Sequence, residues 1–345
     1  MFLTKRARLG LGLAATLLLA ACGGSASTGG TAATTTGNHP NLSGQTIRFV
    51  YDGTPALSTV NLDHAFGILK SWGANVQVTY AGSTQVVFAA MVQGDADVME
   101  FSAQGALAGI DSGINLKAFA LVNPRMDYAF ISKPSIKKLS QLKGAKIGVL
   151  DTVGLNGIQA EMVVKAAGLK SSDVSLIAAG GQGQRVAALL SGRLDATMVG
   201  FSNYLQLKSQ GYNLLYSYTK EQPKLYDGIL WSTPTWLSSH KATAIAINQA
   251  LIESSRWVDN TKNKSAFVTE ADNLIKGSDA SVTGQMYDTY IQNNMFPPNA
   301  ILDQSALSFN QSEYVQYKAL KESLPVSQWS DVTFAQQALK KEGTV

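Results

Sequence analysis

Cysteine and histidine are nearly missing: the 345-residue chain holds one of the first and three of the second. A single thiol forms no disulfide framework, so the stability of an exported domain has to come from a packed core. His39, His64 and His240 are scattered and suggest neither a metal cluster nor a Ser-His pair. Charge is sparse as well, at 15% Asp, Glu, Lys and Arg. Without a sustained basic face there is no case for a nucleic-acid partner. The stretch Gly181, Gly183, Val186 begins like a dinucleotide loop but has valine where the third glycine belongs. A Gly-x-Ser-x-Gly elbow and a Gly-Lys-Ser/Thr phosphate loop are both missing. The chain is therefore read as a non-enzyme, with no cofactor and no metal. No apolar run reaches the roughly 20 residues that a membrane-spanning helix needs.

What is present begins with Lys5, Arg6 and Arg8, followed by an apolar stretch over residues 9–21 and the lone Cys22. Basic residues, a 13-residue apolar run, Ala20-Ala21 and then cysteine resemble a lipoprotein signal. That resemblance implies cleavage before Cys22 and a lipid on its sulfur, with the protein held at the outer face of the cytoplasmic membrane. Removing Lys5, Arg6 and Arg8 from 28 Lys and Arg leaves 25 against 24 Asp and Glu, so the mature chain is almost neutral. Residues 22–44, rich in Gly, Ser, Thr and Ala, bury too little to offset their ordering entropy and read as a flexible tether.

From residue 45 the sequence repeats itself. VFAAMVQGDADVMEFS (87–102) returns as VAALLSGRLDATMVGFS (186–202). Each copy has a helical apolar pattern, then Gly94 or Gly192 at a position suited to a left-handed cap, then Asp97 or Asp195 before a short apolar strand. The surroundings repeat too. Strands are expected at 46–52, 75–82 and 116–123, and again at 145–151, 174–180 and 212–219. Helices fall between them, at 56–73 and 103–112, then 155–168 and 203–210. Two tandem β/α units predict an α/β protein with two mostly parallel sheets flanked by helices, and helices dominate beyond residue 238.

This order of elements, LSQLKGAKIGVLDTVG (139–154) opening the second half, KAAGLKSSDVSLI (165–177), the two Gly-x-x-Asp turns and the tail QWSDVTFAQQALKK (328–341) resemble the solute-binding proteins of ABC importers. The branch is the one that takes nitrate, taurine, sulfonates or a thiamine pyrimidine precursor, and the resemblance spans roughly residues 45–342.

The resemblance implies a type II periplasmic-binding-protein fold with a helical C-terminal tail. Lobe one would be 45–122 plus 220–345 and lobe two 126–214, with hinges near 121–127 and 214–219. The protein would act as a monomer, close on a small molecule and deliver it to a permease and ATPase complex. The alternatives are a ligand-sensing lipoprotein and an enzyme resembling a thiamine-pyrimidine synthase, with Asp52 and Asp151 as an acid/base pair across the cleft. Ligands of such sheets lie at the carboxyl ends of the strands. The expected binding residues there are Tyr51, Asp52, Thr54, Ser83, Thr84, Phe101 and Ser102 on one side. On the other are Asp151, Thr152, Asn156, Gln182, Phe201 and Ser202, with Trp231 as a further stacking face. Arg125 and Arg185 are the cations expected near the cleft. The inventory is richer in aromatics, carboxylates and amides than in cations, which favours an aromatic or amide-bearing solute over a sulfonate or nitrate.

Overall fold

A computed structural model describes residues 39–152 and 154–345. The signal, Cys22 and the tether up to residue 38 lie outside the described residues. The first half runs β1 (Thr46–Asp52), α1 (Val60–Ser71), β2 (Asn75–Ala81), α2 (Thr84–Gln93), β3 (Val98–Phe101), α3 (Ala103–Asp111) and β4 (Lys117–Asn123). The second runs β5 (Tyr128–Ser132), β6 (Lys146–Val149), α4 (Leu155–Ala166), β7 (Ser175–Ala178), α5 (Gln182–Leu190), β8 (Ala196–Gly200), α6 (Phe201–Lys208) and β9 (Asn213–Ser217). A short α7 (Tyr218–Glu221) leads to β10 (Gly228–Ser232).

The strands form two five-membered sheets of identical plan, β2-β1-β3-β10-β4 and β7-β6-β8-β5-β9. Three strands of each pair in parallel, and β10 and β5 are inserted antiparallel to both neighbours. Four of five strands thus share one direction, but the sheets are mixed. The inserted strands went unseen in the sequence because YAFIS and GILWS are five-residue runs buried nearly throughout, and an unbroken apolar run carries no mark of direction. Each follows a crossing from one sheet to the other, at residues 124–127 and 218–227. Residues 214–217, expected at a hinge, are paired with β5 inside the second sheet.

The repeated glycine and aspartate are structural devices. Gly94 and Gly192 take φ of 77° and 74° after their helices, a conformation that costs glycine little. Asp97 Oδ2 then accepts from the backbone N–H of Arg48 in β1 at 2.9 Å, and Asp195 Oδ2 accepts from that of Lys146 in β6 at 2.8 Å. Both pairs are 49 residues apart in sequence. The carboxylate ties the turn after each repeated helix to the entry of the sheet's first parallel strand, β1 or β6. Arg48 adds its guanidinium to Asp97 and to the Gly94 carbonyl, while Lys133, just past the far end of β5, donates from its ammonium to Asp195.

Although burial pushes the Asp195 carboxyl up, the bonds from Lys133 and the Lys146 N–H outweigh it and hold the group below its usual range. Its contribution is present above the unfolded carboxylate pKa and is lost as pH falls through the depressed folded value. Asp195→Asn should therefore destabilise the protein by about 1–2 kcal/mol at pH 7, with the difference from wild type shrinking below about pH 4. Urea unfolding at the two pH values measures this.

The C-terminal helices α8 (Pro234–Ser239), α9 (Lys241–Asp259), α10 (Lys264–Leu274), α11 (Ala280–Gln292), α12 (Gln304–Gln316), α13 (Val326–Trp329) and α14 (Thr333–Glu342) complete the fold. Helix α9 is pinned to the first sheet by Asn248 on the Phe119 carbonyl and by Ser254 on the carbonyl of Asn61, whose own amide holds Val122. None of the helices among the described residues is long and apolar enough to cross a membrane.

Candidate functional site

The shared plan decides where functional side chains meet. Parallel strands bring their carboxyl ends to one edge, and an antiparallel insertion brings its amino end to that same edge. Tyr128, which opens β5, and Asp227, just before β10, therefore face the cleft with Tyr51 and Phe101, which lie at or near the ends of β1 and β3. A cavity of about 700 Å³ opens there, walled by both sheets. A second, of about 710 Å³, adjoins it and shares Thr54, Ala56, Ser58, Tyr128 and Asp227.

Of the expected residues, Tyr51, Thr54, Thr84, Phe101, Ser102, Asp151 and Asn156 line the first cavity, and Thr54, Gln182 and Ser202 line the second. Several hold the wall in shape. Phe101 is buried, with its ring filling the space a side chain on Gly105 would need, and Phe88 leans on it at 5.3 Å. Ser102 caps α3 by accepting from Gly105 N–H at 3.3 Å. The loop after β6 is tied by Asp151, which accepts from Gly154 N–H, and by Asn156, which accepts from Leu150 N–H at 3.3 Å. Gln182 Oε1 accepts from Gly200 N–H at 2.6 Å and so joins α5 to β8.

Four residues lie elsewhere. Ser83 precedes α2 as its cap residue and Thr152 is exposed; neither lines either of these two cavities. Phe201 packs edge-on against Tyr204 at 5.4 Å. Trp231 is fully buried, stacks on Trp329 at 6.0 Å and donates from Nε1 to the Phe101 carbonyl at 3.1 Å, so its aromatic face belongs to the core. The Asp52 side chain lies outside what the structure describes. Neither expected arginine reaches the cleft. Arg185 is buried with its guanidinium on Thr197 Oγ1 and the Gly180 and Met198 carbonyls, and Arg125 is not among the lining residues.

Sequence reasoning missed Glu100, Asn123 and Asp227. A carboxylate inside the four-residue strand VMEF was the one available signal for Glu100. Together with Asp151 these give the first cavity three carboxylates, while Asp127, Asp227 and Asp279 line the second. Among the described residues, no Lys, Arg or His lines either. Burial pushes Asp227 up to about 7 against the pull of the Asp127 N–H. It pushes Asp127 up to about 8, helped by the charge of Asp227 and opposed by Tyr290, whose hydroxyl donates to Oδ2 at 2.7 Å.

Residues 65–261 match the family model described as NMT1/THI5 like. No curated protein matches the chain in sequence. Among solved structures it is similar to a putative periplasmic sulfonate-binding protein, SsuA, from Methylobacillus flagellatus, with TM-score 0.70 and 19% identity over 88% of this chain and 96% of that one. The periplasmic nitrate-binding protein NrtA from Synechocystis superposes with TM-score 0.68 and 14% identity, covering 88% and 90% of the two chains. The desulfurization enzyme DszB has TM-score 0.66 and 15% identity, covering 87% and 100%. At these identities the likeness establishes the two-lobed fold.

Proposed function

The chain belongs to the NMT1/THI5-like family, and from that premise we propose that it is the extracytoplasmic solute-binding component of an ABC importer. The observation that carries this reading is the cleft itself. About 700 Å³ of space lies at the strand ends of two sheets that are joined by two chain crossings, as a clamp on a small molecule requires. In this reading the lobes are residues 45–122 with 220–345, and 126–214. They close on one solute and present it to a permease, and lipid on Cys22 keeps the protein at the outer face of the membrane. Feeding a sensor in place of a transporter would use the same clamp. The fold shared with DszB leaves room for catalysis, but the Asp151 carboxyl is engaged by the Gly154 N–H and Asn156 by Leu150, which favours binding.

The solute we favour is aromatic or heterocyclic. Tyr51, Phe88, Phe101 and Tyr128 supply ring faces, and the described lining residues offer an anion no cationic side chain. Thermal-shift screening tests the choice: pyrimidines and small aromatics should stabilise the protein, and a response confined to alkyl sulfonates or nitrate would reverse it. Phe88, half-buried in the wall, is the cleanest probe. Phe88→Ala should weaken an aromatic solute about tenfold by titration calorimetry, with compaction on binding preserved in small-angle scattering. Identical scattering with and without bound solute would refute the clamp.

A further inference from the structure

One wall of the first cavity is built to receive a proton donor. Asn123 ends β4 with a side chain only 1% exposed, and its Oδ1 is buried without a hydrogen-bond partner although the residue lines the first cavity. A buried acceptor left in that state is unfavourable until a donor reaches it. The neighbouring strand makes the room. A Cβ on Gly228 would fall 2.6 Å from Glu100 Oε1 and 3.5 Å from Asn123 Nδ2, so the missing side chain lets these two groups converge. Asp227 joins them, its N–H donating to the Asn123 carbonyl at 3.0 Å.

Building on the solute-binding reading, we infer that the solute is an organic cation whose charged nitrogen donates to Asn123 Oδ1 and lies against Glu100 and Asp227. The other occupants fit less well. An anion would meet carboxylates and an acceptor with no cationic side chain among the described lining residues. A neutral amide would satisfy Asn123 but bring no charge to a wall that carries Glu100 and Asp227. Among the described residues, no three metal-ligating side chains converge to hold a metal ion. The rings of Tyr51 and Tyr128 line the same cavity, where their faces attract a cation.

The titratable groups that feel the charge of Asp227 are Asp127, Tyr51, Tyr128, Tyr290 and Tyr314. Glu100 acts on Tyr51 and Tyr128, and the charge of Arg185 reaches Tyr128, but its guanidinium is spent on Thr197 and two carbonyls. With burial pushing Asp227 up to about 7, a proton occupies it part of the time near neutral pH, and an incoming cation expels that proton.

Benzamidine, benzamide and benzoate, alike in shape and differing in charge, provide the test. Benzamidine should bind at least tenfold tighter than benzamide, and benzoate should not bind. At pH 7, calorimetry in phosphate and in Tris should show proton release with benzamidine and none with benzamide. Affinity for benzamidine should rise between pH 6 and 8. Asp227→Asn, with folding checked by thermal unfolding, should weaken benzamidine at least tenfold, spare benzamide and abolish proton release. Glu100→Gln should act in the same direction.

Equal binding of benzamide and benzamidine, with compaction in scattering, would overturn the inference and leave the clamp standing. Preference for benzoate would also overturn it. If no member of the trio, no sulfonate and no nitrate binds or changes the scattering, both readings fall.

Discussion

Trp231→Ala should be the most damaging single truncation, destabilising the protein by about 3–5 kcal/mol in urea unfolding. The indole is fully buried and stands in β10 between Met99 of β3 and Ala118 of β4, stacked on Trp329. Removing it deletes a large apolar volume inside the first sheet, where β10 lies between β3 and β4. It also removes the N–H that satisfies the Phe101 carbonyl, at the strand end that forms the cavity wall. Trp231→Phe separates the two effects. It keeps most of the packing and loses the hydrogen bond, and should cost about 1–2 kcal/mol. A Trp231→Ala protein of unchanged stability that fails to bind solute would instead make the indole a ligand face.

The contrast between Trp231 and Asp227 shows what the sequence can carry. Patterns local in the chain were legible. β1 falls where its alternation places it, and the Gly-x-x-Asp turns repeat because each sheet needs the same tie at its first parallel strand. The aromatic and amide character of the cleft was legible too, since residues at the carboxyl ends of parallel strands can be numbered off once the βα alternation is seen. The antiparallel insertions were not. Nothing in GILWS tells which way the strand runs, and that direction alone brings Asp227 and Gly228 to the cleft while burying Trp231 in an interior strand, between β3 and the edge strand β4. The arginines failed for a related reason. Arg185 carries a charge, but its donors are consumed by Thr197 and two carbonyls, a commitment made by residues 5 to 13 positions away along the chain.

The same buried carboxylate should make the empty protein less stable as pH rises. An unfolded aspartate titrates near 4, whereas burial pushes Asp227 up to about 7 and Asp127 up to about 8. The folded state thus holds these protons more tightly than the unfolded one. Stability is highest below the unfolded value and declines as pH rises toward the folded values, by at most about 1.4 kcal/mol per pH unit for each group.

Asp227→Asn removes the ionisation while keeping the shape. It should therefore stabilise the empty protein at pH 8 by on the order of 2–4 kcal/mol relative to wild type, the two converging near pH 4. Asp127→Asn should act in the same sense, less additively because the two carboxyls repel and the Asp127 N–H bonds to Asp227. Differential scanning calorimetry of wild type and both variants from pH 5 to 8 isolates this contribution, because every other titrating group is common to all three. A site that is strained when empty and relieved by a cation is expected to gain stability on binding in proportion to the charge it lacked. If Asp227→Asn unfolds at the wild-type temperature at pH 8, the carboxylate is already neutralised or solvated through the cavity, and no ligand charge is needed to explain it.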